Sequence, residues 1–225
     1  MYITAFFSIF VKFILFVAFL QLSLQYNGSA VLNQFIVLSL IVGCFMSINQ
    51  TDIKRLIAYS SIVHVAFLFM GDAPSSLLYL LTYCITSLLL FSVLLSAELG
   101  GKELMYLNDL RHLRASDSFS IFCAVSAFAS SAGLPPFAGF YGKFSVWCSL
   151  IEDIYLFGSK FSYFALLLSL LVTLLTVYYY IRVIAYLFVG QDSEARAVSL
   201  TSDLKEDFYT FLFSCQGILL ILVMF

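Results

Sequence analysis

The charged residues of this chain stand in short segments that separate long apolar stretches. A helix needs about 20 apolar residues to cross the roughly 30 Å hydrocarbon core of a bilayer. Continuous apolar runs indicate helices, whereas a membrane β-barrel would show alternation. We therefore expect an all-α polytopic membrane protein, one membrane domain over residues 1–225 with about seven transmembrane helices. The predicted spans cover residues 1–24, 31–48, 53–70, 75–97, 118–151, 161–188 and 208–225.

Composition excludes several other classes of protein. The 225 residues are 62% hydrophobic and only 11% charged, with a mean hydropathy of +1.02, whereas a soluble domain is about a quarter charged. A net charge of −2 offers no basic surface for nucleic acid. The five cysteines stand singly in apolar stretches, without CxxC or a His/Cys cluster, so we expect neither a metal nor an iron–sulfur site in this chain.

The apolar stretch 118–151 is too long for one straight span. Its 34 residues would form a helix about 50 Å long. Pro135 and Pro136 lie near its middle, beside Gly133, and paired prolines remove two backbone donors and force the preceding residue out of the helical region. The sequence predicts one helix that is broken near residues 134–137. Broken membrane helices occur where they are buried in protein or line a wet cavity, and in transporters they mark ion paths.

The positive charges test this count of spans. With seven spans, Lys160 stands alone on one side of the membrane, and this asymmetry is a positive-inside signal. Counting 118–151 as two spans would move three of the basic residues to the wrong side. We expect the basic side to be the cytoplasm or the mitochondrial matrix, with the first residue on that side and the last on the other. The basic side collects Lys54, Arg55, Lys102, Arg111, Arg114, Arg182, Arg196 and Lys205.

Three titratable residues fall deep inside predicted spans. Lys12 lies about twelve residues from either end of the first span, and Lys143 follows the helix break. Burial disfavours the charged form of a lysine, so such residues can exchange protons near neutral pH. His64 lies mid-span and is suited to relay protons between the two lysines. The alternative is structural: lysines that bind carboxylates or broken-helix carbonyls, and a histidine that packs helices together.

Several polar residues near His64 have supporting roles in this interpretation. The hydroxyls of Tyr59, Ser60 and Ser61 could hold waters, although joining helices is the commoner role of such groups. Asp52 is placed to cap the third span, and Lys54 to anchor it at the interface. The run of tyrosines at 178–180, followed by Arg182, is typical of an interfacial aromatic belt with a charged anchor. No span contains a carboxylate at mid-depth, so a carboxylate partner for the lysines would belong to another chain.

Two long motifs resemble the antiporter-like membrane subunits of respiratory complex I. Residues 50–64 (QTDIKRLIAYSSIVH) resemble a signature of that family, and residues 132–144 (AGLPPFAGFYGKF) resemble its broken helix. Lysine at position 143, followed by the run at 178–182, is most similar to the subunit 2 type of NADH dehydrogenase. The stretch at 4–7 with Lys12 resembles the family's eighth helix. The resemblance covers essentially the whole chain.

The resemblance implies a function and a set of partners. Lys12, His64 and Lys143 would relay protons, with Tyr59, Ser60, Ser61 and Lys54 in support and Gly133, Pro135 and Pro136 forming the break. The chain itself would bind no cofactor, whereas the whole complex would contain NADH, FMN, iron–sulfur clusters and ubiquinone. Partners would be other membrane-arm subunits of complex I and lipids.

A complete subunit of this type would have about fourteen helices, and this chain resembles its carboxy-terminal half. We expect a separate polypeptide to supply the amino-terminal half. The bias towards Phe and Tyr favours an organellar genome and hence the mitochondrial inner membrane. Two alternatives remain open: a subunit of a sodium/proton antiporter complex of the same fold, and a structural half-subunit without its own proton path.

Overall fold

The structure is a computed structural model, and it describes residues 9–18, 20, 30–99, 106–110, 118–188, 221 and 223. The described part is helical and matches the expected polytopic fold with one broken helix. Most of the predicted last span, 208–225, lies outside the described residues. The helices are α1 (Ile9–Ala18), α2 (Ala30–Ile48), α3 (Ile53–Met70), α4 (Ala73–Leu99), α5 (Ser118–Ala132), α6 (Ala138–Phe157) and α7 (Lys160–Phe188).

Three of the described helices are long and apolar enough to cross a membrane by themselves: Ile53–Met70, the Ala73–Leu95 part of α4, and Lys160–Phe188. Large apolar side chains cover their outer faces; Leu167, Leu171 and Leu174 of α7 are all more than half exposed. Such an apolar outer surface is expected where lipid replaces water. The sequence placed the end of the broken span at residue 151, but α6 continues through Glu152 and Asp153 and ends at the left-handed Gly158.

Contacts near the helix ends show which of these ends lie together; of the residues predicted for the basic side, Lys102, Arg111, Arg114, Arg196 and Lys205 lie outside the described part of the chain. Arg182, near the end of α7, donates a hydrogen bond of 2.9 Å to the Ile48 carbonyl at the end of α2. The Leu107 N–H donates to the Thr51 carbonyl at 2.9 Å, which places the described part of the 98–117 loop at the same end. Lys160 begins α7 at the opposite end. Together, the two half-helices α5 and α6 therefore make one crossing of the bundle.

Two apolar clusters lie at different levels of the bundle, and a polar layer separates them. On α3, α4 and α7 alike, one part of the helix packs into the first cluster and another part into the second. Leu89 and Leu94 of α4 belong to the first cluster, for example, whereas Tyr79 and Leu80 belong to the second. The buried hydroxyls between these levels include those of Ser60, Thr86, Ser130, Thr173 and Thr176.

Candidate functional site

The break in the long helix begins where α5 ends in a glycine. Gly133 has a φ of +82°, a left-handed conformation that glycine adopts without steric cost. Its N–H donates to the Ser130 carbonyl at 2.9 Å, and the Leu134 N–H donates to the Ala129 carbonyl at 3.1 Å. This pair of bonds is the Schellman arrangement that ends many helices. Pro135 and Pro136 follow in an exposed turn and prevent the helix from continuing.

Lys143 completes this helix end from the other side of the break. Its ammonium group donates hydrogen bonds to the Ser131 carbonyl at 3.1 Å and to the Ala132 carbonyl at 2.7 Å. The last four carbonyls of a helix have no partner within the helix. In α5 the N–H groups of the turn bind the Ala129 and Ser130 carbonyls, and Lys143 binds the remaining two. The side chain is 2% exposed, so water does not offer an alternative donor from outside.

The two half-helices are held together by a close backbone contact. The Gly139 N–H, in the first turn of α6, donates to the Ser130 hydroxyl at 3.0 Å. A Cβ atom at position 139 would lie 1.9 Å from the Ser130 carbonyl oxygen, so only glycine fits there. Gly133 makes room in the same way for the Lys143 side chain, whose Cδ would lie 2.8 Å from a Cβ at position 133.

His64 lies in the polar layer among three tyrosines. Its Nδ1 is 2.7 Å from the Tyr79 hydroxyl, and its Nε2 is 3.3 Å from the Tyr180 hydroxyl. A neutral imidazole donates through one nitrogen and accepts through the other, so both ring nitrogens are engaged. The His64 and Tyr83 ring centroids are 4.9 Å apart.

Lys12 is 5% exposed and donates a hydrogen bond to the Tyr83 hydroxyl. Its Nζ also lies 3.7 Å from the centroid of the Tyr83 ring, where the ring face attracts a cation. The partners that the described residues give Lys12 and Lys143 are thus a phenol and two carbonyls, all uncharged.

A cavity of about 10 Å³ lies at the centre of this arrangement. That volume is about what one water molecule needs, and its lining is polar enough to bind one. It joins residues of α3, α4, α5 and α6, so the broken helix and the two predicted relay residues, His64 and Lys143, share one cavity. Its lining residues are His64, Tyr79, Thr82, Tyr83, Thr86, Ser130, Ser131, Gly139 and Lys143.

Other residues predicted to support the site lie elsewhere or make different contacts. Ser61 is turned outward and donates to the Ala58 carbonyl of its own helix at 2.7 Å, and neither Tyr59 nor Lys54 lines the cavity. Ser60 is buried and donates to the Ile57 carbonyl at 2.9 Å. The expected cap at Asp52 is not formed by its side chain, which instead pairs with Arg55 at 3.1 Å.

The interpretation of the tyrosine run as an interfacial belt is wrong for two of its members. Tyr179 and Tyr180 are 1% and 3% exposed, and Tyr180 binds His64, whereas only Tyr178 faces outward. Sequence reasoning also missed Tyr79 and Tyr83. Their i, i+4 spacing places both on one face of α4, and this was the signal that could have found them. Among the described residues, no group of three His, Cys, Asp or Glu side chains could hold a metal ion.

Comparison with known proteins assigns the family. The family model described as "NADH:quinone oxidoreductase/Mrp antiporter, TM" matches residues 1–169, which is most of the chain. The chain belongs to this family. The resemblance of the two long motifs to antiporter-like subunits is therefore confirmed at the level of the family.

The relatives of this antiporter-like chain include bacterial proteins named NADH-quinone oxidoreductase subunit N. The protein from Paramagnetospirillum magneticum is 34% identical over 165 residues, which cover 70% of this chain and 32% of that protein. The protein from Pelagibacter ubique is 28% identical and covers 84% and 39% of the two chains. The chain thus spans roughly a third of the length of these curated relatives.

Solved structures share the antiporter-like fold. A chain of respiratory complex I from Thermus thermophilus, solved with bound aureothin, has a TM-score of 0.67 and 26% identity over 86% of this chain and 42% of that chain. A chain of the Mrp complex from Dietzia sp. has a TM-score of 0.64 over 84% of this chain and 42% of that chain. It is 13% identical, so that likeness shows the fold alone.

Proposed function

We propose that the chain is part of a proton-translocating membrane-arm subunit of an NADH:quinone oxidoreductase. The observation that carries the proposal is the buried set of contacts between Lys12 and Lys143. Lys12 binds Tyr83, Tyr83 and His64 line the same cavity as Lys143, and Lys12, His64 and Lys143 are all buried. Deeply buried lysines cost free energy in a membrane, and a proton relay gives a reason to keep them.

The relay needs no redox group within this chain. Changes of charge elsewhere in the complex would alter the protonation of one lysine, and the hydroxyl network would carry the proton on. Moving one charge against a potential of 100 mV costs about 2.3 kcal/mol, so the relay must change the energy of its protonated states by at least that much. NADH, FMN, iron–sulfur clusters and ubiquinone would belong to the rest of the complex, and other membrane-arm subunits and lipids would surround this chain.

More finely, we propose that the chain is of the subunit 2 type of NADH dehydrogenase. It would lie in a mitochondrial inner membrane, with the basic end of the bundle in the matrix. The similarity of position 143 and of the 178–182 run to that type supports it, as does the gathering of Lys54, Arg55 and Arg182 at one end. The relatives described above are bacterial. The expectation that a separate polypeptide carries further helices stays a prediction.

A sodium/proton antiporter subunit is the second candidate, because the family model spans both kinds of complex and the Mrp chain shares the fold. Native gel electrophoresis of solubilised membranes, followed by mass spectrometry and an NADH oxidation stain, separates the two. The proposal predicts that this chain migrates with NADH oxidation activity. Migration with a complex that lacks NADH oxidation and exchanges sodium for protons would overturn it.

A further inference from the structure

The geometry around Lys12 restricts how a proton can leave it. Within the described part of the chain, Lys12 donates a hydrogen bond to the Tyr83 hydroxyl, and its charge also lies over the Tyr83 ring. The side chain is 5% exposed, so neither bulk water nor lipid headgroups reach it easily. A proton that moves from Lys12 towards the centre of the bundle therefore meets the Tyr83 oxygen first.

Direct transfer from Tyr83 to a nitrogen of His64 is not what the contacts favour. The two rings are tilted by 45° to each other, with their centroids 4.9 Å apart, so they meet through the rings. Both imidazole nitrogens are already bonded, Nδ1 to Tyr79 and Nε2 to Tyr180. His64 thus holds two other tyrosines in place, and the cavity that Tyr83 shares with Lys143 is the more open route.

The cavity has the size and the partners that one water molecule requires. Its volume of about 10 Å³ is close to the minimum for a single water, which binds two to four polar groups. Thr82 and Thr86 line it, and their hydroxyls already donate to the Tyr79 and Tyr83 carbonyls at 2.9 and 3.0 Å. Each hydroxyl oxygen can still accept a hydrogen bond from a water.

Lys143 is arranged to receive a proton from this cavity. It lines the cavity, and its Nζ donates to two carbonyls, those of Ser131 and Ala132. An uncharged amine has two N–H bonds and one lone pair. The two carbonyls can therefore bind both N–H groups while the lone pair remains for a third partner.

We propose that Tyr83 is a relay residue, and that a single water in the cavity beside it carries protons between Tyr83 and Lys143. In this step the Lys12 ammonium gives one proton to the Tyr83 oxygen, while the Tyr83 O–H proton passes to the water. The water gives one of its own protons to the uncharged amine of Lys143. One N–H bond breaks at Lys12 and one forms at Lys143, the phenol and the water are regenerated, and no electrons are transferred. This inference rests on the proposed function.

The test is Tyr83→Phe in the assembled complex, reconstituted into vesicles, with proton uptake and NADH oxidation measured together. Phenylalanine keeps the ring beneath Lys12 and removes only the hydroxyl. We expect proton uptake to fall at least roughly tenfold, since a positioned proton-transfer group typically contributes roughly a hundredfold or more, with assembly unchanged on a native gel. Tyr178→Phe is the matched control, because Tyr178 is 60% exposed, and it should pump as the unmodified complex does.

Two further measurements separate a relay from a structural role and from failure of the proposed function. Infrared difference spectra during turnover should contain a tyrosine C–O band that disappears in Tyr83→Phe and persists in Tyr178→Phe. Normal pumping by Tyr83→Phe, or lowered pumping with this band intact, would overturn the relay, while Lys12→Met shows separately whether the proposed function holds. If Lys12→Met also pumps normally, the proposed function fails together with the relay.

Discussion

The Lys143 ammonium lies 2.7 Å from the carbonyl oxygen of Ala132, the last residue of the preceding half-helix. A side chain of α6 thereby closes the end of α5, where the helix dipole also favours a positive charge. The same side chain lines the cavity that His64 also lines. The group proposed to exchange protons is therefore also the group that joins the two halves of the broken helix, and its two roles can be tested separately.

Replacing Lys143 by alanine should damage both roles. The buried Ala132 carbonyl and the partly buried Ser131 carbonyl would lose their donors. An unsatisfied buried group costs about 1–3 kcal/mol, so the melting temperature of the complex should fall along with proton uptake. Lys143→Arg should recover much of the melting temperature, because arginine supplies donors, but not the uptake, because arginine does not release its proton in proteins. Recovery of both by arginine would contradict proton exchange at this position.

Gly133→Ala should be harmful for two physical reasons. A left-handed backbone costs a non-glycine residue about 1–2 kcal/mol, and the added Cβ would lie 2.8 Å from Lys143 Cδ. We expect a lower melting temperature and reduced proton uptake. Gly158→Ala is the control, since Gly158 has a φ of +60° but nothing within 4 Å of the added Cβ. Gly158→Ala should lower the melting temperature through the backbone cost but leave proton uptake normal. Equal losses of uptake in both variants would refute the contact between position 133 and Lys143.

His64→Phe should lower proton uptake by disordering the tyrosines around the cavity. The Tyr79 and Tyr180 hydroxyls would each lose the ring nitrogen to which they are now bonded. Ser60→Ala, one turn earlier on α3, removes a hydroxyl that donates to a carbonyl of its own helix, so it should be mild. Proton uptake and melting temperature should be measured for both. Normal proton uptake and melting temperature in the His64→Phe complex would contradict a role for His64 in the site.

Arg182→Ala should weaken the fold without changing the number of protons moved per NADH. The guanidinium binds the Ile48 carbonyl at 2.9 Å and lies 5.9 Å from the Tyr186 ring centroid, and a hydrogen bond from a charged group contributes about 1.5–3 kcal/mol. Thermal melting and pumping stoichiometry are the two readouts. A changed stoichiometry at full assembly would mean that this end of the bundle takes part in coupling.

The sequence predicted the break because its signals are local. Two prolines beside Gly133 decide the backbone conformation without help from other helices. Lys12, His64 and Lys143 stood out because a charge or an imidazole is rare inside a membrane span. The tyrosines could not be assigned in the same way. Their helices are apolar on every side, so no stripe shows which face turns inward, and Tyr180 lies beside the exposed Tyr178 in a run that is also typical of an interface.

In the proposed function, protons move through the buried contacts between Lys12 and Lys143. Its most direct test is Lys12→Met, which keeps the length of the side chain and removes the proton-binding group. Proton uptake per NADH oxidised is measured in vesicles containing the assembled complex, with Lys160→Met as the control for loss of an exposed lysine. We predict that uptake falls at least roughly tenfold in Lys12→Met and is normal in Lys160→Met. Uptake equal to that of the unmodified complex in a fully assembled Lys12→Met enzyme would contradict proton transfer through Lys12.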